Sequence, residues 1–162
     1  MTTPASTPTQ RRVVRYSTLM EFVADAEQIA MGEYVTVGKW SFGQILSHLA
    51  LTMHCSFDGF GFKAPWFART FIAPFVKNSC FTKPLPAGFK LPATATALVP
   101  PAEASVEDGL IAVREAIDRY QSELPKAPHP FFGQLTREEY VCLTLRHSEL
   151  HMSFVVPVER ND

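Results

Sequence analysis

The stretch from Ser105 to Leu124, SVEDGLIAVREAIDRYQSEL, carries the clearest helical pattern in the sequence. Its apolar residues recur at intervals of four and three positions, which places them on one stripe of an α-helix. The stripe consists of Val106, Leu110, Val113, Ile117, Tyr120 and Leu124. Ser105 and Asp108 have the spacing of a helix N-cap, and Pro125 ends the helix. A seam of this kind is typical of helices that pack side by side in a bundle.

Three further segments, at about 17–30, 41–57 and 136–154, show helical periodicity. Each begins with a hydroxyl side chain followed three residues later by Glu or Gln, which is the capping-box spacing. The pairs are Thr18 and Glu21, Ser41 and Gln44, and Thr136 and Glu139. The connection 31–39 is short, and no segment shows a convincing strand pattern. The sequence therefore predicts an all-α fold, a four-helix bundle.

Residues 60–104 form a long crossover between the helices predicted at 41–57 and 105–124. The crossover contains seven prolines. We expect a short helix at about 66–75 and extended chain elsewhere, because helices exclude proline. Loops of this length in compact domains often have a function. The aromatic side chains of the crossover are either core packing or a dimer contact, or they line an apolar substrate pocket. We favour the pocket and assign Trp66 and Phe71 to it.

The composition indicates a single domain over residues 15–158, preceded by a flexible tail over residues 1–14. Of the 162 residues, 46% are hydrophobic and 19% are charged, which excludes a largely disordered chain. A net charge of −1 gives no overall attraction to nucleic acid or to an anionic membrane. No apolar run approaches the ~20 residues of a membrane span. We therefore expect neither nucleic acid nor membrane as a partner.

The cysteines Cys55, Cys80 and Cys142 are widely spaced and include no CxxC pair. They predict buried free thiols rather than a disulfide framework or a thiolate zinc site. Arg11 and Arg12 are not followed by the apolar segment of an export signal. A cytoplasmic location is therefore expected.

Histidines are the main candidates for chemistry. His147 and His151 stand four residues apart on the last helix, so their rings share one face and suit a common metal ion. That face is predicted to point into the core, and it comprises Tyr140, Leu143, Thr144, His147, Leu150, His151 and Phe154. His48 completes a three-histidine site if the second and last helices are neighbours, whereas His54 points elsewhere. The alternative is a hydrogen-bonded histidine pair without a metal ion.

Two motifs resemble a known superfamily. Residues 39–50, KWSFGQILSHLA, resemble the W-x-x-x-Q-x-x-x-H-L motif that opens the second helix of the DinB/YfiT-like superfamily. Residues 146–151, RHSELH, resemble the H-x-x-x-H motif on the last helix of that superfamily. Residues 85–92 and 129–140 resemble an uncharacterised bacterial branch, a domain of unknown function. The resemblance covers about residues 11–157 and implies a four-helix bundle with a crossover connection.

The resemblance also implies that His48, His147 and His151 bind a divalent metal ion, because they occupy the three motif positions. Three imidazoles suit zinc, nickel, iron or copper, and we expect zinc or nickel, with iron or manganese as alternatives. A further histidine that this branch has after the last ligand is replaced here by Met152. Three protein ligands leave a position open for water or substrate, as in catalytic metal sites.

Characterised members of the superfamily are thiol transferases and a thiol-dependent isomerase, in which the metal holds a small thiol as thiolate. The resemblance thus implies a metal-dependent S-transferase or hydrolase that acts on a small-molecule substrate, such as a low-molecular-weight thiol. Gln44, one turn before His48, is a candidate substrate contact. His129 in the HPFFG loop is another, although its simplest interpretation is a turn residue beside Pro130. The sequence does not identify a general base.

A second hypothesis is a non-catalytic bundle, in which the metal is structural or the protein is a binding or stress-associated module. Dimers are common in the superfamily, so a homodimer is the corresponding expectation for a protein partner. A metal ion with an exchangeable ligand favours the enzyme, and one without favours the non-catalytic bundle.

Overall fold

The computed structural model describes residues 10–158, which contain five α-helices and two short strands. In chain order these are α1 (Leu19–Ala30), β1 (Tyr34–Thr36), α2 (Phe42–Asp58), α3 (Ala73–Thr82), α4 (Val106–Ser122), α5 (Arg137–Met152) and β2 (Val155–Pro157). The mainly helical fold that the sequence predicted is confirmed. Within the described range, no helix combines the length and the apolar content needed to cross a bilayer.

The four longest helices begin at the caps that the sequence predicts. Thr18, Ser41, Ser105 and Thr136 each accept a backbone N–H from three residues further on. In α2 and α5 the Gln or Glu side chain at that position bonds back to the cap residue and completes a capping box. Local side-chain chemistry therefore sets where these helices start.

The core is centred on the contact between α2 and α4, with α1 packed against α4 and α5. Glycine allows the close approach, because a Cβ on Gly109 would lie 2.7 Å from the Cβ of Leu46. A Cβ on Gly43 would collide with the backbone of Ala104. Fully buried side chains from four helices fill the space, among them Phe22, Leu46, Val113 and Met152.

The two strands are a feature that the sequence did not predict. β1 and β2 pair in antiparallel fashion, with Tyr34 opposite Pro157 and Thr36 opposite Val155. Each strand has only three residues, too few for an alternating pattern, and α2, α3, α4 and α5 separate the two strands in the chain. The last helix consequently ends at Met152, whereas its periodicity predicted helix as far as about Phe154.

The crossover contains a longer helix than the predicted 66–75. This crossover helix runs from Trp66 to Thr82. It has π-helical hydrogen bonding over Ala68–Ile72, and α3 follows directly. Pro74 lies in the first turn of α3, where a residue without an N–H is tolerated. Because the π segment shifts the phase of the apolar positions, a search at 3.6-residue periodicity misses the full length. Further along the crossover lies a 3-10 turn, Thr96–Leu98.

The first described residues run beside the end of α5. Arg12, which falls in the segment predicted as a tail, donates to the carbonyl oxygens of Met152 and Val155 and pairs with Asp25. The part of that predicted tail before residue 10 lies outside the described residues.

The three cysteines differ in their exposure. Cys55 is buried, Cys80 is half-buried and Cys142 is exposed, and all three are free thiols. The prediction of a buried thiol is therefore wrong for Cys142. Cys142 lies outside the apolar face that the periodicity of this helix predicted, and its prediction as buried rested on residue type alone.

Candidate metal centre

Three histidine side chains meet between α2 and α5. His48 comes from the middle of α2, and His147 and His151 come from successive turns of α5. The Nε2 atoms of His147 and His151 are 3.0 Å apart, and those of His48 and His147 are 3.4 Å apart. One potential ligand nitrogen from each residue lies within 4.8 Å of the others. The prediction that these three residues come together is confirmed.

The separations fit the ligand set of a small divalent ion. Nitrogen atoms bound about 2.0–2.1 Å from a tetrahedral zinc ion are roughly 3.3 Å from one another. Lone pairs at such a distance repel each other unless a proton or a cation lies between them. The residues present therefore fit a metal ion, as the resemblance implies.

A carbonyl group from the crossover orients His48. The Nδ1 atom of His48 lies 2.7 Å from the carbonyl oxygen of Leu98, which can only accept a hydrogen bond. Nδ1 therefore carries the hydrogen, and Nε2 keeps its lone pair for a ligand. Histidine ligands of metal ions are typically held through the second nitrogen in this way.

Burial keeps the three imidazoles neutral. It lowers the pKa of His48, and it lowers the pKa of His147 well below its ordinary value, with His151 and His48 adding to the effect. Burial, and then the neighbouring His48, lower the pKa of His151 to about 3. The neutral form is the one that binds metal ions, so the site needs no deprotonation at neutral pH.

α5 turns its histidine face toward a cavity. All seven residues of the face that the sequence identified line this cavity. The periodicity predicted that this face points into the core. In the structure the face is instead the wall of a cavity. Most of the buried residues of α5 lie elsewhere on the helix, namely Leu145, Arg146, Ser148, Glu149 and Met152. A packed core and an apolar pocket require the same spacing of apolar residues, so periodicity could not separate them.

Arg146 and Glu149, which flank the histidines in sequence, anchor α5 on another side. Both are buried, and their side chains pair at 2.7 Å. Arg146 also donates to the carbonyl oxygen of Tyr16, while Glu149 accepts the Tyr16 N–H. Glu149 therefore lies off the histidine face, and it ties the N-terminal segment to α5.

The cavity beside the histidines has a volume of about 1330 Å³. Typical small-molecule sites have about 300–1,000 Å³, so there is room for a substrate together with a second reactant. Its wall is mainly apolar, and the crossover contributes Phe62, Ala68, Cys80, Leu85, Phe89 and Leu98. Three lysines, Lys39, Lys63 and Lys90, also lie on this wall, and no Asp or Glu of the described residues does.

Trp40 packs directly against the histidine cluster. Its ring is stacked on His151 at 5.6 Å between centroids and lies 4.7 Å from the ring of His48. Trp40 was not among the site residues predicted from the sequence. Its place in the W-x-x-x-Q-x-x-x-H-L motif was the signal that linked it to the site.

His129 is both a turn residue and a cavity residue. Its Nδ1 accepts the backbone N–H groups of Phe131 and Phe132, each at 3.2 Å, and its ring lines the cavity. Burial lowers the pKa of His129 to about 4, so the ring is neutral. With Nδ1 acting as an acceptor, the hydrogen is on Nε2.

Three other residues assigned to the substrate pocket are not on the cavity wall. Gln44 completes the cap of α2, since its Oε1 accepts the Ser41 N–H and its Nε2 donates to the carbonyl oxygen of Pro101. Trp66 is 70% exposed and Phe71 is 62% exposed, on the outer side of the crossover helix. The direction in which that helix faces depends on its packing against α5, which the sequence alone does not show.

Most of this chain matches a known protein family. Residues 8–158 match a family described as "Protein of unknown function (DUF1569)". The chain belongs to the DUF1569 family. Neither the curated proteins nor the solved structures include a match to this chain. Membership of the DUF1569 family names no reaction, so the function has to be inferred from the site.

Proposed function

We propose that this chain is a metal-dependent enzyme built on a DinB-like four-helix bundle with a proline-rich crossover. His48, His147 and His151 hold a divalent ion, zinc or nickel, and the adjoining cavity takes a small-molecule substrate. The reaction is an S-transfer from a low-molecular-weight thiol or a hydrolysis. The observation that supports this most directly is the convergence of three imidazoles on the wall of a large, mainly apolar cavity.

When bound, a divalent ion in such a site lowers the pKa of a thiol or water ligand and so supplies a nucleophile at neutral pH. The protein's own residues provide orientation and shielding. Trp40 covers two of the imidazoles and keeps bulk water away from them. His129 offers its Nε2–H to an acceptor on the substrate, because its Nδ1 is occupied by backbone N–H groups.

The cavity wall favours a substrate with an apolar body and an acidic group. Its lining is mostly aliphatic and aromatic, which suits the apolar body. Lys39, Lys63 and Lys90 are exposed residues that contribute to this wall, and they suit the acidic group. The free cysteines favour a reducing cytoplasm as the place of action.

Elemental analysis of untagged protein, purified without chelators, tests the metal site. We expect about one divalent ion per chain, lost in His147→Ala and retained in His54→Ala. His54 is the matched control because it lies on α2 but contacts Arg119 and is outside the cluster. No metal in the unaltered protein, together with an unchanged Tm on adding zinc or nickel, would contradict the proposal.

Cobalt substitution separates a catalytic from a structural ion in the same preparation. A small thiol added to the cobalt protein should change its visible spectrum, because an open coordination position would accept the thiolate. A spectrum that no added thiol or anion alters would rule out the enzyme and leave a structural metal ion.

A non-catalytic interaction bundle is the second candidate. The exposed aromatic side chains of the crossover helix, Trp66 and Phe71 among them, favour it because they are available for contact with a partner. A homodimer is the simplest form of such a contact. A metal-loaded protein without an exchangeable ligand would support this candidate.

A further inference from the structure

An aromatic face covers the outer side of the crossover helix. It consists of Trp66, Phe67, Phe71, Ile72 and Phe75. These side chains are between 47% and 85% exposed, and Trp66 contacts Phe67 and Phe71. Ala68 and Cys80, on the other side of the same helix, line the cavity. Contiguous exposed apolar surface of this kind marks a place where another surface binds.

The segment that carries the aromatic face differs in charge from the rest of the chain. Residues 59–102 contain five basic residues and no Asp or Glu. The five are Lys63, Arg69, Lys77, Lys83 and Lys90. Because the whole chain has a net charge of −1 and this segment +5, the remaining residues carry −6. Lys63 and Lys90 lie on the cavity wall, whereas Arg69, Lys77 and Lys83 lie on the crossover helix or directly after it. Of these three, Lys77 pairs with Glu139, and the other two pair with no carboxylate of the described residues.

We propose that the aromatic face and its basic surroundings dock on the surface of an anionic lipid membrane. Large aromatic side chains flanked by Lys and Arg are the composition with which a helix lies in a membrane interface. The unpaired basic groups add attraction to anionic headgroups. Such docking needs no membrane-spanning helix, and it is independent of the proposed metal site. It departs from the expectation of no membrane partner, because that expectation rested on the net charge of the whole chain and not on the charge of this segment.

A second copy of the chain is a poorer occupant of the aromatic face. Closed dimers of identical chains bring the same patch of each chain together. Here that arrangement would bring Arg69, Lys77 and Lys83 of one copy near those of the other. Contact with the acidic remainder of another copy would be head-to-tail, which forms rings or filaments rather than a closed dimer.

Cosedimentation of the full-length protein with lipid vesicles tests this proposal. We expect binding to phosphatidylcholine vesicles that contain phosphatidylserine, little binding to phosphatidylcholine alone, and a decline with added salt. Lys83→Gln should weaken binding about fivefold, the effect of one charge near an anionic surface. Lys126→Gln, an exposed lysine outside the basic segment, should leave binding unchanged.

A matched pair of apolar variants tests the aromatic face itself. Phe71→Ser combined with Phe75→Ser should abolish vesicle binding, whereas Ile111→Ser, at an exposed apolar position on α4, should not. Circular dichroism checks that each variant is folded. His147→Ala should bind vesicles like the unaltered protein, so failure of the metal site and failure of this proposal are separable.

Absence of binding to anionic vesicles would overturn the proposal, as would equal binding of the Phe71 and Phe75 double variant. Light scattering of the unaltered protein then identifies the occupant. A dimer that the double variant dissociates would assign the aromatic face to a second copy. A monomer in both would exclude a second copy as the occupant as well.

Discussion

A single hydrogen bond decides which nitrogen of His48 is available to a metal ion. The carbonyl oxygen of Leu98 accepts from Nδ1, so Nε2 faces His147 and His151 with its lone pair free. Trp40 restricts the rings of His48 and His151 from another direction. At the residue scale, the geometry of the three-histidine cluster therefore depends on the groups that orient the imidazoles as well as on the imidazoles themselves.

Replacement of Trp40 tests this dependence. We expect Trp40→Ala to weaken zinc binding about tenfold, because His48 and His151 then rotate more freely and meet bulk water. Competition with a chromophoric chelator measures the affinity. Trp66→Ala removes the other tryptophan, which is exposed and off the cavity wall, and should change nothing. Equal affinities of both variants and the unaltered protein would show that Trp40 does not hold the ligands.

At the scale of elements, α5 both lines the cavity and anchors itself to the N-terminal segment. One face lines the cavity with histidine and apolar side chains, and the buried pair of Arg146 and Glu149 ties the helix to Tyr16. A helix anchored by ionic hydrogen bonds cannot rotate without leaving buried charges unpaired, which costs several kcal/mol. This anchoring sets the direction in which His147 and His151 point.

Removal of the buried carboxylate should be costly. Glu149→Ala leaves the Arg146 guanidinium buried without its anion, and we expect the free energy of unfolding to fall by about 3 kcal/mol. Urea denaturation measures the change. Glu123→Ala breaks the exposed pair with Arg119 and should cost far less, because water and salt screen an exposed pair. Similar losses in the two variants would mean that the buried pair contributes no more than a surface one.

At the scale of the whole molecule, the cavity is assembled from segments that are far apart in the chain. α2 and α5 supply the histidines, and the crossover and the loop 129–132 supply the remaining wall. α4 and the residues before it pack closely on α2, where Gly43 and Gly109 have no side chain to hold the segments apart.

That close packing predicts an unusual response to alanine. In a solvent-exposed helix, Gly→Ala stabilises by about 1 kcal/mol. At Gly109 the added methyl group would overlap Leu46, so we expect Gly109→Ala to destabilise the protein by about 1–3 kcal/mol. Thermal unfolding measures the outcome, and Glu115→Ala, exposed on the same helix, is the control. A higher Tm for Gly109→Ala would show that the two helices are not in close contact.

The sequence by itself determined the helices, their caps and the three histidines. Caps such as Ser41 with Gln44 act within one helical turn, and the phase of His147 and His151 follows from helix geometry, so both can be read locally. Membership of the DUF1569 family agrees with the domain-of-unknown-function branch that the motifs resemble.

Only the tertiary structure decided how these elements use their surfaces. It placed a cavity rather than closed core beside α5, brought the Gln44 amide to the carbonyl oxygen of Pro101, and turned Trp66 and Phe71 outward. It also paired β1 with β2 and brought the Leu98 carbonyl to His48. Each of these outcomes depends on which distant segments meet. The local sequence of a three-residue strand, a backbone carbonyl group or an aromatic residue is the same whether or not a distant partner contacts it.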